Sequence, residues 1–270
     1  MRLLACDLDG TLLDPSGVVT DRTVAALRAA RAAGVHVVIA SGRPPFMATP
    51  ILERLGDVVT HGVMANGSVV CTFPDGATLR SIQFDIGRAV ATVHQLRAID
   101  PGFGFALATD AGFAHEAGFA ERMPTASPGP ASADALAAAV GATVAVKLMV
   151  FHATESAHSL LDTLPPLVGD DLAVTHMGAD CVELGPAGVD KATGLTWLCE
   201  HLGIDAAGVV AFGDEYNDHE MLRWAGLGVA MANAPELTRS FADEVAPSNA
   251  DDGVAVVVER LLQEDAAGRS

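Results

Sequence analysis

Three apolar runs in this chain each stop abruptly on small or polar residues: "LLAC" meets "DLDGT", "VHVVIA" meets "SGRPP" and "GVVAFG" meets "DEYND". Short continuous apolar runs, with no polar alternation, read as strands buried on both faces, and such strands belong to parallel sheets covered by helices. The stretches between them carry helix signals. "TDRTVAALRAARAAG" offers Thr20 as an N-cap, an apolar stripe through Leu27 and the alanines, and Gly34 as a stop. Pro44 and Pro45 suit a helix start that continues through "FMATPILERLG".

"VVTHGVMANG" reads as two further short strand segments, and "GSVVCTFPDGATLRSIQF" as a hairpin turning at "PDG". The pattern then changes. From about 83 to 185, helices such as "IGRAVATVHQLRAI" mix with strands such as "TVAVKLMVFH" and "DDLAVTHM", and the Pro/Ser/Ala-rich stretch 123–135 reads as a surface loop. After "ELGPAG" the first pattern returns: helices at "DKATGLTWLCEHLG", "EYNDHEMLRWAG" and "APELTRSF", a strand at "LGVAMA" and a final amphipathic helix in "DDGVAVVVERLLQEDAAG". The expectation is an α/β protein: a Rossmann-like parallel sheet with helices on both faces, formed by residues 1–82 and 186–270, with an α+β unit inserted at 83–185.

Composition narrows the function. A formal net charge of −18 argues against nucleic acid as a partner, because phosphate backbones demand basic surface. It also requires that any small anionic substrate meet a metal cation or a few placed basic groups. No stretch approaches the ~18 uninterrupted apolar residues of a membrane span. The start "MRLLA" leads straight into acidic residues without the apolar core of a leader. Cysteines 6, 71, 181 and 199 have neither paired nor metal-ligand spacing, so a reducing, cytoplasmic setting is expected. Only two lysines, Lys147 and Lys191, stand against 14 arginines. A compact ammonium and a planar guanidinium do different work, so both positions merit attention.

The chemistry-bearing residues gather at strand ends. Asp7 and Asp9, two apart in an extended segment, would share one face roughly 6.5–7 Å apart along the chain. They follow the first strand, at the carboxyl edge where open α/β sheets bind ligands. "IASGRP" places the Ser41 hydroxyl and the Gly42 amide after a second strand, suited to a phosphoryl oxygen. Lys191 opens a helix, a poor place for a cation unless an anion sits there too. "AFGDEYND" ends another strand with Asp214, Asn217 and Asp218. Each has an ordinary explanation alone: an acidic turn, a turn serine, a solvated lysine, a helix cap. Their coincidence in this order at strand ends is what makes a common site the better reading.

These four stretches, DLDGT (7–11), ASGRP (40–44), the lysine of VDKATG (189–194) and GDEYND (213–218), resemble the signature motifs of the haloacid dehalogenase-like phosphohydrolases. "MANG" (64–67), "MLRWAGLGVAMANAPE" (221–236) and "ADEVAPSNADDGVAVVVERLL" (242–262) are similar to its Cof-like branch, with Ala232 where that branch usually has Gly. The resemblance covers about 1–82 and 186–265; the insertion is similar only in position, size and mixed character.

The resemblance implies a Mg²⁺-dependent phosphatase of a small phosphorylated metabolite, a sugar phosphate or related ester, working as a monomer or small homo-oligomer with no nucleic-acid or membrane partner. It implies Asp7 as nucleophile forming an aspartyl-phosphate and Asp9 as acid and base, a role favoured by a raised pKa. Mg²⁺ would be held by the Asp7 carboxylate, the Asp9 backbone carbonyl and the Asp214 carboxylate. Leu8 and Gly42 amides, Ser41, Lys191 and Asn217 would hold phosphoryl oxygens. Asp218 would position Lys191 or a metal-bound water, and Arg43 would reach the leaving group or lie on the surface. The insertion is expected to act as a cap that closes over the site and selects substrate, with Arg122, Lys147, His115, His152 and His176 as candidate contacts. A phosphosugar mutase and a non-catalytic binding protein on the same fold are the alternatives.

Overall fold

The computed structural model describes residues 1–109, 112–116, 119, 136, 138, 144–176 and 181–268. The loop expected at 123–135 and the candidate Arg122 lie outside the described residues. The chain divides into two compact units, Met1–Ser81 with Asp190–Ser270, and Ile82–Val189.

The first unit begins with β1 (Leu3–Cys6), β2 (His36–Ala40), β3 (His61–Met64), β4 (Val69–Thr72) and β5 (Thr78–Ser81). The second unit holds β6 (Phe84–Asp85), β7 (Phe103–Ala108), β8 (Phe113–His115), β9 (Val144–Ala145), β10 (Lys147–His152), β11 (Leu172–Thr175) and β12 (Val182–Pro186). The chain then returns to the first unit for β13 (Val209–Gly213), β14 (Leu227–Met231) and β15 (Glu244–Ala246).

In the first unit eight strands form one sheet in the order β15-β14-β13-β1-β2-β3-β4-β5. The six from β15 to β3 run parallel, and the β4–β5 hairpin adds two antiparallel strands at one edge. The apolar runs are as buried as their composition requires: Leu3, Leu4, Ala5, Cys6, Val37, Val38, Ile39 and Ala40 have no exposed surface. On one face Leu3, Ala5, Val38, Val63 and Ala211 pack against Leu195, Leu198 and Cys199 of the helix Lys191–Leu202 and Met221 of the helix His219–Trp224. Burying each such leucine contributes about 1.5–3 kcal/mol.

The helix Asp21–Ala32 is capped where expected, Thr20 Oγ1 accepting the Thr23 N–H at 3.1 Å. The helix Pro45–Leu52 opens on Pro45. Two details differ from the sequence reading. Residues 58–67 hold one strand, His61–Met64, rather than two: a short helical turn occupies Gly56–Val58 before it and the chain turns after Met64. β15 was not anticipated: three residues beginning with Glu at a sheet edge leave no apolar run to read.

Strand order reverses at β1. From there the chain steps outward through β2 and β3, and after the second unit it restarts on the other side at β13 and steps outward through β14 and β15. The carboxyl ends of β1 and β13 therefore flank the switch point, where the diverging connections leave a crevice.

The second unit is a five-stranded antiparallel sheet, β11-β12-β10-β7-β8, with β6 and β9 pairing separately. The helices Ile86–Ile99, Ala157–Thr163 and Pro165–Val168 pack around Leu96, Phe105, Leu148, Val150 and Leu184. Lys147 lies on no solvated face: it is 2% exposed and ion-paired with Glu183 of the neighbouring strand. His115 and His152 are also buried. His115 Nδ1 lies 3.0 Å from the Glu116 carbonyl, and His152 Nε2 lies 3.4 Å from Asp100. His176 is partly buried.

Candidate active site

β1 ends at Cys6, but its pairing continues one residue further, the Asp7 N–H donating to the Phe212 carbonyl at 3.0 Å. Strand pairing then ends. Leu8–Leu12 forms a wide helical turn, closed by the Leu12 N–H on the Asp7 carbonyl at 3.2 Å and the Leu13 N–H on the Leu8 carbonyl at 2.9 Å. Such five-residue closures are uncommon and recur at functional sites. Gly10 makes this one possible. Its φ is +80°, and a β-carbon there would lie 2.1 Å from Asp214 Oδ2. The extended reading of Asp7–Asp9 therefore holds in part: Asp7 and Asp9 (φ −79°, ψ 118°) keep extended dihedrals, but strand pairing ends at Asp7 and the closure over Leu8–Leu12 takes in Asp9.

Three carboxylates meet beside this turn. Oxygens of Asp7, Asp214 and Asp218 lie within 4.8 Å of one another, all three residues buried. Lys191, the first residue of its helix and with no exposure, places Nζ 2.6 Å from Asp7 Oδ1 and 2.7 Å from Asp218 Oδ1. Burial works to lower the ammonium's pKa, yet the combined attraction of Asp218 and Asp7 outweighs it, so Lys191 is held firmly protonated. Burial holds the Asp7 carboxyl well above the usual carboxylate range; Lys191 pulls it down only in part, and the Asp218 and Asp214 charges push it further up. Asp218 gives Oδ1 to Lys191 and accepts the Asp214 and Glu215 N–H groups on Oδ2 at 2.9 and 3.0 Å. Both its oxygens are engaged, as a positioning group requires. Asp214 accepts the Thr11 hydroxyl at 2.7 Å on Oδ1. Burial, and next the Asp218 charge, push its carboxyl up to about 7.

The Asp9 carboxylate turns elsewhere. Arg43 holds it in a two-point fork, Nε to Oδ2 and Nη2 to Oδ1, both at 2.7 Å. This geometry was not foreseen for either residue. Ser41 is fully buried at the end of β2. Its N–H donates to the Val63 carbonyl at 2.9 Å, and its hydroxyl oxygen accepts the Arg43 N–H at 3.2 Å. Gly42 is buried beside it. Asn217, 7% exposed, donates from Nδ2 to Asn66 Oδ1 at 3.0 Å.

Three residues that motif spacing did not single out thus reach the site: Thr11, Asn66 and Asn233. Asn233 Nδ2 donates to the Gly10 carbonyl at 2.8 Å and lies 3.5 Å from Asp214 Oδ2. Asn66 stood within "MANG" and Asn233 within "VAMANAPE", so the signal lay in those flanking motifs rather than in any residue type.

The donor set suits a hard divalent cation. Three buried carboxylates face one ammonium, which leaves negative charge uncompensated in a place where that is costly. Burial first, and the Asp218 charge second, account for the upward displacement of Asp214. An all-oxygen set of this kind matches Mg²⁺ or a similar ion rather than a soft metal. Among the described residues this is the only group of three or more acidic, His or Cys side chains with such spacing.

Comparison with known proteins finds relatives in both sequence and fold. The model of a family described as haloacid dehalogenase-like hydrolase matches residues 4–258. The phosphatase YwpJ of Bacillus subtilis is 29% identical over 97% of this chain and 100% of its own length. The phosphoglycolate phosphatase of Natronomonas pharaonis is 30% identical over 95% of this chain and 96% of its own length. The chloroplastic endoribonuclease YBEY of Arabidopsis thaliana is 29% identical over 94% of this chain, which spans only 45% of that protein. A haloacid dehalogenase-like hydrolase structure from B. subtilis superposes with a TM-score of 0.82 at 27% identity, covering 97% of this chain and all of the other. The sugar phosphatase BT4131 shares the fold at a TM-score of 0.83 and 21% identity, over 97% of this chain and 99% of its own.

Proposed function

This chain belongs to the haloacid dehalogenase-like hydrolases, and from that membership we propose that it is a Mg²⁺-dependent phosphatase of small phosphorylated metabolites, working through an aspartyl-phosphate. The observation that carries the reading is Lys191 Nζ lodged between Asp7 and Asp218, with Asp214 in the same cluster, at the switch point of the sheet. These groups come from three distant segments, and a merely structural need would not gather so much like charge.

In the proposed reaction an Asp7 carboxylate oxygen attacks phosphorus and the bond from phosphorus to the ester oxygen breaks. Asp9 gives its proton to the departing oxygen. Water then attacks the aspartyl-phosphate, Asp9 takes the water's proton, the bond to Asp7 breaks and orthophosphate leaves. An ammonium has three donors; Lys191 spends two on carboxylates and has the third for a phosphoryl oxygen. Ser41, the Leu8 and Gly42 amides and Asn217 complete that cradle, which stabilises charge as it develops. Asp7, the Asp9 carbonyl and Asp214 would hold Mg²⁺, which supplies charge neutralisation and a fixed direction for the phosphoryl group. Asp218 positions Lys191. For Asp9 to carry a proton, one of its oxygens must leave the Arg43 fork, so Arg43 works on Asp9 rather than only on a leaving group. We assign substrate choice to residues 83–185, none of whose described residues joins the acidic cluster.

The test is phosphate release from a panel of sugar phosphates, phosphoglycolate, pyridoxal phosphate and nucleotides. Release is expected with Mg²⁺, loss in excess chelator, and recovery on adding Mg²⁺ back but poorly with Ca²⁺, whose larger and looser shell misplaces the attacking oxygen. Turnover that persists in chelator would remove the metal from the mechanism, and silence across the panel with Mg²⁺ would remove the phosphatase reading.

A further inference from the structure

Between β3 and β4 the backbone takes three left-handed steps in succession: Ala65 at φ +50°, Asn66 at +54° and Gly67 at +93°. Asparagine tolerates that region; alanine adopts it only when its surroundings insist. The surroundings here are the parts of the proposed phosphate cradle. The Ala65 N–H donates to the Arg43 carbonyl at 3.0 Å and the Asn66 N–H to the Ser41 carbonyl at 3.1 Å, so the turn is bonded along the Ser41–Arg43 loop. Gly67 lies against the start of the Lys191 helix, where a β-carbon would sit 2.0 Å from the Asp190 carbonyl oxygen. A β-carbon on Gly194 of that helix would in turn sit 2.9 Å from Gly67 Cα. The Asn66 side chain completes the set, its Oδ1 accepting the Asn217 Nδ2.

We propose that Asn66 is a positioning residue for the phosphoryl group. The inference rests on the reading that Ser41, Lys191 and Asn217 hold phosphate. A free Asn side chain rotates and presents either its oxygen or its nitrogen. The Asn66 oxygen accepts one N–H of Asn217 and so fixes which edge of that amide faces the cradle, leaving its second N–H as a donor to an anion. The left-handed turn is the device that delivers Asn66 to that point while registering the serine loop against the lysine helix. An unfavourable conformation kept at such a junction is what a positioning role explains.

The test is a cycle of variants read by calorimetric binding of inorganic phosphate in Mg²⁺ buffer. Asn66→Gly removes the amide and keeps the left-handed backbone accessible. It should weaken phosphate about tenfold, the size expected for one lost hydrogen bond to a charged ligand. Asn217→Ala should weaken it similarly, and the double variant should be no weaker than Asn217→Ala alone, because Asn66 acts through Asn217. Circular dichroism at the binding temperature establishes that each variant is folded, a condition that a merely structural residue would fail in proportion to its loss of binding. Asn66→Ser, too short to reach Asn217, serves the same cycle if the glycine variant does not fold. Wild-type affinity in both Asn66 variants, losses that multiply in the double variant, or a wild-type protein that takes up no phosphate would each overturn the proposal. A non-additive cycle in a protein that hydrolyses none of the phosphoester panel would uphold the positioning role while removing the phosphatase reading.

Discussion

Lys191 carries a full charge to a point with no solvent exposure, and only the two carboxylates at 2.6 and 2.7 Å make that tenable. The two are not equivalent. Asp218 also ties the Asp214 and Glu215 amides. Asp218→Ala therefore strips a buried ion pair and two hydrogen bonds at once and should lower unfolding free energy by about 3–5 kcal/mol, read from urea melts. Asp7→Asn leaves Lys191 with Asp218 and relieves carboxylate crowding. Its melting temperature in chelator should hold or rise, while phosphate release falls about 10⁴-fold or more if Asp7 is the nucleophile. Full activity in that variant would end the assignment. Asp214 supplies a pH signature. Its folded pKa, pushed up to about 7, lies above its unfolded value, so the folded metal-free protein binds a proton the unfolded chain has released. That contribution to stability is fully present below pH ~4 and is lost as pH rises through 7. In chelator, Asp214→Asn should therefore gain on wild type steadily from pH 4 to 7 and then level off. A difference that stays constant across that window would contradict the buried, crowded environment described for Asp214.

At the scale of elements, the Leu8–Leu12 turn does most to assemble the site. It needs Gly10 twice over, for a φ of +80° and for the space that Asp214 occupies. Gly10→Ala should thus displace Asp214 and abolish Mg²⁺ binding by calorimetry while the far-ultraviolet circular dichroism of the sheet and helices persists. Unaltered Mg²⁺ affinity would mean that the turn has slack. The same turn marks the limit of what was legible in the sequence. Apolar runs, caps and prolines announced β1, β2, β13 and the helices after them, because those signals are local. The strand-end positions of Asp7, Ser41 and Asp214 and the helix-start position of Lys191 followed from the same local signals. The path of Asp9 did not, since an Asp-Leu-Asp segment gives no local sign of the closure over Leu8–Leu12, and the space beside Gly10 is taken by a carboxylate 204 residues further along the chain. The Arg43 fork on Asp9 and the Asn66–Asn217 bond were hidden for the same reason: each joins segments that neighbour one another only once the sheet has formed. Lys147 was open between a solvated and a functional position, and the deciding partner, Glu183, lies on a strand 36 residues further along.

Across the whole molecule the dominating fact is a net charge of −18, borne by a protein proposed to bind an anion. With Lys191, Arg43 and the proposed divalent cation the acidic cluster would come near neutrality, but the remaining charge would still repel a phosphoester on approach. That repulsion is long-range and therefore sensitive to salt, since the screening length falls from about 30 Å at 0.01 M to about 10 Å at 0.1 M. With Mg²⁺ saturating, raising an inert salt across that interval should increase kcat/KM several-fold and leave kcat unchanged, because contacts made inside the closed cradle are short and little screened. A protein whose basic groups steered the substrate in would behave oppositely, as nucleic-acid binders do. If kcat/KM falls as salt rises, the approach is governed by the positive groups at the crevice itself, Lys191 and Arg43, and the acidic surface plays no part in how the substrate arrives.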